Sequence, residues 1–236
     1  MNNSVTVIFP AAGQSRRMKS DKNKNFLELE GKPILIHSLS AFSQVESINH
    51  LIVAASPDEL EIVNEMINGV SGLKPVTVIA GGSERQYSIA NALKYVSNDA
   101  ELILVHDAAR PLISIKTINE VIDAARIYGG AIAAVPATNT IKEIDDNKII
   151  HKTLPRNRLI EVQTPQGFKR EILIEAYERA AHEKFLGTDD SSLVERLGYK
   201  VKAVMSDYFN IKVTTPEDLM IAQALINTIR QGGEFN

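Results

Sequence analysis

Short runs of apolar and β-branched residues alternate along this chain with longer segments of helical periodicity. This alternation predicts an α/β fold, a mostly parallel sheet with helices on both faces. The first four strand segments are nearly continuous apolar runs, as expected for strands buried on both sides. The predicted strands are Val5–Phe9, Leu51–Ala55, Val76–Ala80, Leu102–His106, Ala131–Val135 and Val201–Met205. The predicted helices lie near Pro33–Phe42, Asp58–Ile67, Arg85–Val96, Ile115–Ile127, Glu171–Lys184 and Pro216–Ile229.

The composition is that of an ordinary globular protein with a substantial core. The 236 residues are 44% hydrophobic and 23% charged, with a formal net charge of −3. This mild acidity argues against a general nucleic-acid binder. Cysteine is absent, which excludes disulfides and thiolate metal sites. No apolar run approaches the roughly 20 residues of a membrane span, and no signal-peptide pattern opens the chain. We therefore expect a cytoplasmic protein that does not engage membranes.

One segment, at about residues 137–158, departs from the alternation. Thr140–Ile144 and Lys148–Thr153 are predicted to be two strands around a turn at Asp145-Asp146-Asn147, which makes a β-hairpin. Because a lone hairpin is marginal in water, we expect it to pack on something else, with a partner subunit as the preferred candidate. The predicted organisation is one domain over residues 1–236 with a projecting arm.

The first strand leads into a turn of small residues, Ala11-Ala12-Gly13, that is followed by a cluster of cations. Small side chains allow backbone N–H groups to approach an anion closely, so a polyphosphate is the expected ligand. The segment matches neither the Walker P-loop nor the dinucleotide-binding glycine pattern. A sharp turn followed by a solvated basic loop is the alternative. The five cations, within nine residues, are Arg16, Arg17, Lys19, Lys22 and Lys24.

A second loop follows the predicted strand Val76–Ala80. Its paired glycines, Gly81-Gly82, permit backbone conformations closed to other residues, and Ser83 is expected to cap the next helix. On that helix, Arg85 and Ser88 would lie one turn apart on one face. Gly82 and Ser88 are candidates for the floor and edge of a base pocket, and a plain capped junction between loop and helix is an equally good interpretation.

A third loop, containing Asp107 and Arg110, follows the predicted strand Leu102–His106. A carboxylate there can bind a divalent metal or a ribose hydroxyl, and a guanidinium can clamp a phosphate. The alternative is a structural Asp–Arg pair. His106 is expected to be a packed strand residue. Since ligands of such sheets bind beyond the carboxyl ends of the strands, the three loops are predicted to meet at one edge.

Other polar segments complete the set, although each alone is more typical of a surface. Lys212 precedes Thr215-Pro216-Glu217, a good helix start with a cap and proline at the first position. Its side chain can therefore point into the same cleft. The remaining segments are Arg156, Gln163-Thr164-Pro165-Gln166, Thr188-Asp189-Asp190 and Asn210-Ile211.

Taken in order, these motifs resemble the 2-C-methyl-D-erythritol 4-phosphate cytidylyltransferase family over nearly the whole chain. The resemblance implies a Rossmann-like nucleotidyltransferase domain and a reaction of CTP with methylerythritol phosphate that depends on Mg²⁺ or another divalent cation. It also implies a homodimer with interlocking β-arms. Three positions depart from the family's usual residues, namely Ser15, Asn25 and Asn139. The matching segments are Ala11-Ala12-Gly13, Arg16-Arg17-Met18, Lys24, Gly81-Gly82, Arg85, Ser88, His106–Pro111, Gln163–Gln166, Thr188-Asp189-Asp190 and Asn210-Ile211-Lys212.

The resemblance implies a role for each matching residue. Asp107 would lie at the ribose and would also be the metal ligand. The arm that carries Thr140 and Arg156 would reach the partner's active site, so that each site is shared between subunits. Catalysis would rest on Arg17, Lys24 and Lys212, nucleotide binding on Ala11, Ala12, Gly13, Gly82, Arg85, Ser88 and Asp107, and substrate binding on Arg110, Thr140, Arg156 and Thr164.

Three other functions stay open at this point. Ribitol 5-phosphate cytidylyltransferase has the same chemistry and a similar motif set, although Ala108-Ala109-Arg110-Pro111 and Thr188–Leu193 look more like the methylerythritol enzyme. A nucleotidyltransferase for another sugar or base is the second. The third is a nucleotide-sensing module without turnover, which is disfavoured because Arg17, Lys24, Asp107 and Lys212 are all present.

Overall fold

The computed structural model describes residues 4–13 and 23–230. No helix within these ranges is both long and apolar enough to cross a membrane. The strands are β1 Val5–Pro10, β2 Glu28–Leu29, β3 Lys32–Pro33, β4 Ile48–Ala55, β5 Val76–Ala80, β6 Leu102–Val105, β7 Gly130–Pro136, β8 Lys142–Ile144, β9 Ile150–Thr153, β10 Ile160–Lys169 and β11 Lys202–Met205. The helices are α1 Ile34–Ser43, α2 Leu60–Asn68, α3 Arg85–Leu93, α4 Ile115–Tyr128, α5 Arg170–His182, α6 Asp190–Arg196 and α7 Pro216–Arg230.

The main sheet confirms the predicted α/β class. Within the described ranges it has seven strands in the order β11-β7-β10-β6-β1-β4-β5. β10 runs antiparallel to both of its neighbours, and the other pairings are parallel. The carboxyl ends of β1, β4, β5, β6 and β7 therefore lie at one edge, and β10 starts from that same edge.

Helices cover both faces of the sheet because its central strands are apolar in both directions. Along β1, Val5, Val7 and Phe9 pack on one face with α1, α2 and α4. Ile8 packs on the other face with α3, α5 and α6. All four side chains are fully buried, and burying a large apolar side chain stabilises the fold by about 1.5–3 kcal/mol. A smaller cluster joins α7 to β2 through Leu29 and neighbouring residues.

The short strands β2 and β3 are missing from the predicted set, and so are two elements that help to build the site. β10 lies in the interior of the sheet although it contains Pro165 and two glutamines. Its pairing with β7 jumps from Val162↔Ala134 to Gln166↔Ile132, so the polar stretch between them bulges out of the ladder. The second missing element is α6, which is only seven residues long. Short or polar elements of this kind give a weak periodic signal, and their neighbours in space determine them.

The predicted helix starts have different outcomes. The Ser83 cap is wrong: the N-cap residue of α3 is Glu84, and no side chain caps it. The α7 start is confirmed, because the Thr215 Oγ1 atom accepts a hydrogen bond from the Asp218 N–H at 3.3 Å. The Asp218 carboxylate in turn accepts from the N–H groups of Thr214 and Thr215. This reciprocal capping fixes the helix just after Lys212.

The predicted hairpin is present as β8 and β9, which pair antiparallel in a separate two-stranded sheet. The Asp145 carboxylate closes its turn by accepting from the N–H groups of Asn147 and Ile149. Ile144, Ile149 and Ile150 are 54%, 64% and 61% exposed. Apolar side chains this open on a two-stranded ribbon are typical of a surface that another chain covers.

Candidate active site

A cleft of about 410 Å³ opens at the carboxyl edge of the sheet, among the ends of β1, β5 and β6. Each of the three predicted loops contributes to its wall, with Ala12 and Gly13 from the first, Gly82 from the second and Asp107 from the third. Lys24, Arg85, Ser88 and Lys212 also line it. The predicted meeting of these distant segments at one edge is therefore confirmed for the described residues.

The glycine pair allows the second loop to pass close to its neighbours. A Cβ atom on Gly82 would lie 2.5 Å from the Tyr87 Cβ atom, and one on Gly81 would lie 2.6 Å from the Ala12 Cβ atom. Ser88 fixes this loop, because its Oγ atom accepts a hydrogen bond from the Gly82 N–H at 3.0 Å. The floor of the cleft is therefore made of backbone atoms. Such a floor suits a flat ligand group that packs against peptide groups.

A second cleft of about 500 Å³ lies beside the first, between β10 and the start of α6. Thr164 and Gln166 line it from β10, Asp189 lines it from α6, and Arg110 lines it from the third loop. Three side chains, Arg85, Asp107 and Lys212, line both clefts. The two clefts therefore meet at one group of charged residues.

Asp107 is the centre of this charged group. Its carboxylate is contacted by Lys212 Nζ at 2.8 Å, by Arg85 Nε at 3.2 Å and by Arg110 Nε at 3.5 Å. Arg85 also contacts Asp190 through Nη2 at 2.7 Å. Three cations thus meet two carboxylates in this cluster.

These neighbours fix the ionisation of the cluster. Burial by itself would raise the pKa of Asp107, but Arg85, Lys212 and Arg110 together hold that pKa well below its usual range. Burial would likewise lower the pKa of Arg85, and the carboxylates of Asp190 and Asp107 raise it instead. At neutral pH Asp107 is therefore ionised and Arg85 is protonated.

Lys24 also lines the first cleft. Its Nζ atom donates a hydrogen bond to the Val213 carbonyl at 3.1 Å, next to Lys212 in the chain. Asn25, one of the three departures from the family pattern, is buried and donates to the Ala11 carbonyl at 3.1 Å. These two hydrogen bonds connect Lys24 and Asn25 to the segment that carries Lys212 and to Ala11 at the end of β1.

A buried series of hydrogen bonds through Thr164 and His106 connects the backbone of Asp107 to that of Arg110. The Asp107 N–H donates to Thr164 Oγ1 at 3.0 Å, and this hydroxyl lies 3.1 Å from His106 Nδ1. On the other side of the ring, His106 Nε2 lies 3.1 Å from the Arg110 carbonyl. Burial lowers the pKa of His106 to about 3, so the ring is neutral, with Nε2–H as donor and Nδ1 as acceptor. The expectation that His106 is a packed strand-end residue is confirmed.

Some predicted site residues lie elsewhere in this chain. Ala11 is buried and uses its backbone in hydrogen bonds with Ala54 and Asn25, so it does not line either cleft. Thr140 and Arg156 are exposed at the base of the arm and line neither cleft. The Arg156 Nη1 atom donates to the Thr138 carbonyl at 2.6 Å. The predictions for Arg17 and Ser15 fall outside the described residues.

Other residues take part that the sequence motifs do not place in a role. Tyr177 donates to Asp190 Oδ1 at 2.5 Å, and Asn210 donates to the Gln163 side chain and the Thr164 carbonyl. Arg110 donates to the Asn210 carbonyl at 2.6 Å and is largely buried. Asp190 and Asn210 belong to polar segments that the sequence does flag. Tyr177 gives no such signal, since it is one apolar-face residue of α5.

Asp107 is the residue predicted to bind a divalent cation. Mg²⁺ commonly binds one or two carboxylates, keeps several waters and takes its other ligands from substrate phosphates. In the described ranges no group of three or more histidine, cysteine or acidic side chains forms a cage for a metal. Both oxygens of the Asp107 carboxylate already contact cations, so a metal there would have to displace Lys212 or Arg110 from Oδ2, and this role of Asp107 stays a prediction.

The fold and the paired clefts define an α/β protein of the nucleotide-binding class, with room for two anionic ligands at the carboxyl edge of its sheet. Residues 5–228 match the 2-C-methyl-D-erythritol 4-phosphate cytidylyltransferase family, and the chain belongs to that family.

Individual relatives support the same assignment. The 2-C-methyl-D-erythritol 4-phosphate cytidylyltransferase of Caldanaerobacter subterraneus subsp. tengcongensis is 44% identical over 224 residues, which cover 94% of this chain and 99% of that protein. Its counterpart from Bacillus mycoides is 46% identical over 222 residues, or 94% of this chain and 97% of that protein. Among solved structures, 4-diphosphocytidyl-2C-methyl-D-erythritol synthase from Anaerococcus prevotii superposes with a TM-score of 0.86 at 30% identity, covering 96% of this chain and all of that one. These matches do not favour the ribitol phosphate alternative.

Proposed function

We propose that this protein transfers CMP from CTP to 2-C-methyl-D-erythritol 4-phosphate, giving CDP-methylerythritol and pyrophosphate in the non-mevalonate route to isoprenoids. Family membership supports the substrates. The structural observation that carries the proposal is that the two clefts share Arg85, Asp107 and Lys212. A transferase with two substrates needs adjacent pockets that open onto one reacting centre, and this arrangement provides them.

The proposed chemistry joins two anions. A phosphate oxygen of the sugar phosphate attacks the α-phosphorus of CTP, one P–O bond forms, and the bond to the bridging oxygen breaks to release pyrophosphate. A phosphate monoester near neutral pH is already anionic, so no general base is needed. The obstacle is the repulsion between the two substrates and the charge that accumulates in the transition state. Fixed cations overcome both through positioning and electrostatic stabilisation.

The chain supplies these cations from two sides. Lys24 and Lys212 line the first cleft together, and we assign them, with Arg17, to the triphosphate. Arg110, which lines the second cleft and contacts Asp107, is assigned to the acceptor phosphate there. A bound Mg²⁺ or similar cation would supply further charge neutralisation on the triphosphate, and Asp107 would hold it. The cytosine of CTP is assigned to the floor of the first cleft, at Gly82 and Ser88.

The arm is proposed to complete the acceptor site of a second copy. Thr140 and Arg156 are exposed and line neither cleft of their own chain. The exposed isoleucines of the hairpin provide an apolar surface for the contact. A homodimer in which each arm reaches the neighbouring cleft satisfies both observations. The cytoplasmic location stays a prediction from the sequence.

A turnover assay with defined substrates tests the proposal. Pyrophosphate release is measured with each of CTP, ATP, GTP and UTP against methylerythritol phosphate and ribitol 5-phosphate, with and without Mg²⁺. We expect CTP with methylerythritol phosphate to be the preferred pair by at least about two orders of magnitude, since a site that hydrogen-bonds its substrate can reject an analogue lacking the bonding group by up to about 10⁴–10⁵. Preference for ribitol 5-phosphate would overturn the acceptor assignment. CTP binding without turnover of either acceptor would identify a sensor.

A further inference from the structure

Asp190 is a fully buried carboxylate behind the two clefts, and the proposed chemistry does not use it directly. Its relative exposure is 0%. Tyr177 donates to its Oδ1 atom at 2.5 Å, and Arg85 Nη2 donates to its Oδ2 atom at 2.7 Å. Burying a carboxylate is costly unless a charged partner and hydrogen bonds compensate, and apolar residues of similar volume often stabilise as well or better. Stability alone therefore gives little reason for this charge.

Arg85 connects the buried carboxylate of Asp190 to the carboxylate of Asp107 in the clefts. Its Nη2 atom faces Asp190, and its Nε atom lies 3.2 Å from the Asp107 Oδ1 atom. Because the guanidinium is planar and rigid, fixing one edge of it fixes the direction of the other donors. Asp107 is left with Oδ1 held by Arg85, while Oδ2 faces Lys212 at 2.8 Å and Arg110 at 3.5 Å.

The position of Asp190 is itself set by the backbone around it. It is the first residue of α6, whose N-cap Asp189 forms a reciprocal capping box with Ser192. Gln166 of β10 makes two hydrogen bonds to the same turn. Its Nε2 atom donates to Asp189 at 2.9 Å, and its Oε1 atom accepts from the Ser191 N–H at 2.9 Å. The carboxylate of Asp190 is thus held in place by the central sheet.

We propose that Asp190, supported by Tyr177, is a positioning residue that anchors Arg85 and thereby keeps Asp107 oriented at the junction of the clefts. This inference rests on the proposed function. Without the Asp190 charge, the guanidinium is free to turn both of its donor edges onto Asp107 in bidentate fashion. It then competes with Lys212 and Arg110 for Oδ2, so that the carboxylate and these two cations no longer keep their places at the junction of the clefts.

The test is a double-mutant cycle on the full-length protein. Asp190→Asn keeps the shape and removes the charge, and Arg85→Gln removes the group on which Asp190 is inferred to act. We expect Asp190→Asn to lower kcat/KM for CTP on the order of 10- to 100-fold, the scale of losing a group that orients an active-site residue. In the Arg85→Gln background the same change should alter kcat/KM less than about twofold, because residues that act through one another are not additive.

Calorimetric titration of CTP without acceptor provides a second readout that does not depend on turnover. The affinity for CTP should fall in Asp190→Asn and show the same non-additivity with Arg85→Gln. Glu101→Gln is the matched control, since it breaks the Arg126–Glu101 ion pair at 3.2 Å on a part of the surface that lines neither cleft. It should leave the kinetics and the CTP affinity unchanged.

Two results would overturn the positioning role. One is an Asp190→Asn protein with wild-type kinetics, and the other is an equal loss in both backgrounds, which is what a purely structural contribution gives. If Asp190→Asn does not fold, Tyr177→Phe carries the same cycle, because it removes one donor and keeps the ring. A wild-type protein that neither binds CTP nor turns over the acceptor contradicts the proposed function instead.

Discussion

The Lys212 ammonium lies 2.8 Å from the Oδ2 atom of Asp107, at the point where the two clefts meet. Arg85 and Arg110 approach the same carboxylate, so a single acidic side chain separates three cations. Asp107 therefore holds the cluster together as well as facing the proposed ligands.

Asp107→Asn is expected to destabilise the protein by roughly 3 kcal/mol at low ionic strength, because it leaves largely buried cations without their counter-charge. Urea unfolding at low and high salt measures this loss. Added sulfate should recover part of it by binding among the cations. Asp123→Asn is the control, since its exposed carboxylate pairs with Arg126 at 3.5 Å and such pairs contribute about 0–1 kcal/mol. Equal stability of the two variants would contradict the role of Asp107.

Lys24→Ala is expected to lower kcat/KM by roughly 10²-fold or more, the scale of losing one preorganised transition-state contact. Lys24 lines the first cleft and is tethered to the Val213 carbonyl at 3.1 Å. Steady-state kinetics with CTP as the varied substrate measures the effect. Lys32→Ala is a charge-matched control, since Lys32 is exposed on β3. Near wild-type turnover by Lys24→Ala would remove Lys24 from the catalytic set.

Ser88→Ala is expected to raise KM for CTP several-fold and to leave KM for methylerythritol phosphate unchanged. Ser88 is buried, and its loss leaves the Gly82 N–H without a partner in the cleft floor, which costs about 1–3 kcal/mol. Ser97→Ala is the control, because the Oγ atom of Ser97 also accepts a backbone N–H, from Asp99 at 3.2 Å, but on an exposed turn. A parallel rise in both KM values would show that the effect is not local to the nucleotide.

His106 predicts a loss of stability in mild acid. Its pKa is about 3 in the folded protein, against an ordinary value of 6.5, so the unfolded chain takes up the proton first as pH falls. Above about pH 6.5 the free energy of unfolding does not depend on the titration of this group. Below that pH it declines by about 1.4 kcal/mol per pH unit. A protonated ring would also present a donor where Thr164 requires an acceptor.

The measurement is the free energy of unfolding in urea between about pH 6 and pH 4.5, where Asp107 is still ionised. His106→Gln keeps a donor and an acceptor and does not titrate, so its stability should change less steeply with pH than that of the wild type. His50, whose pKa is also lowered by burial, is present in both proteins and cancels in the comparison. Parallel slopes would contradict the account.

Mixing two defective proteins tests the shared site. Arg156→Ala is expected to raise KM for methylerythritol phosphate, and Lys24→Ala to lower turnover. If Arg156 acts on the neighbouring subunit, a mixed dimer has one site with both residues intact, and an equal mixture recovers activity at about a quarter of its sites. Unfolding the two variants together and refolding them allows exchange. A mixture no more active than its components would place Arg156 in its own subunit's site.

The central part of the fold is predictable because it depends on short-range patterns. The apolar runs of β1, β4 and β6 can be satisfied only in a sheet covered on both faces. The same prediction is wrong for β5, which is an edge strand in which only Ile79 is buried. β10 contains Pro165, Gln163 and Gln166, and it is a strand because β6 and β7 flank it, which is information from distant parts of the chain.

The residues of the site also fall into those that can be predicted from the sequence and those that cannot. Residues at strand ends, such as Asp107 and Gly82, are predictable because parallel strands place their carboxyl ends at one edge. Asp190 and Tyr177 meet only through the packing of α5 on α6, and their spacing in sequence carries no sign of it. Thr140 and Arg156 cannot be placed from one chain, since no contact of theirs in this chain leads to either cleft.

The strand β10 begins at the base of the arm and ends at α5, and along the way it supplies Thr164 and Gln166 to the second cleft. Adding or deleting one residue in such a strand turns every following side chain to the opposite face. Tolerance of length changes is therefore expected to be very uneven: the hairpin tip around Asn147 is free to lengthen or shorten, whereas the ten residues of β10 are not.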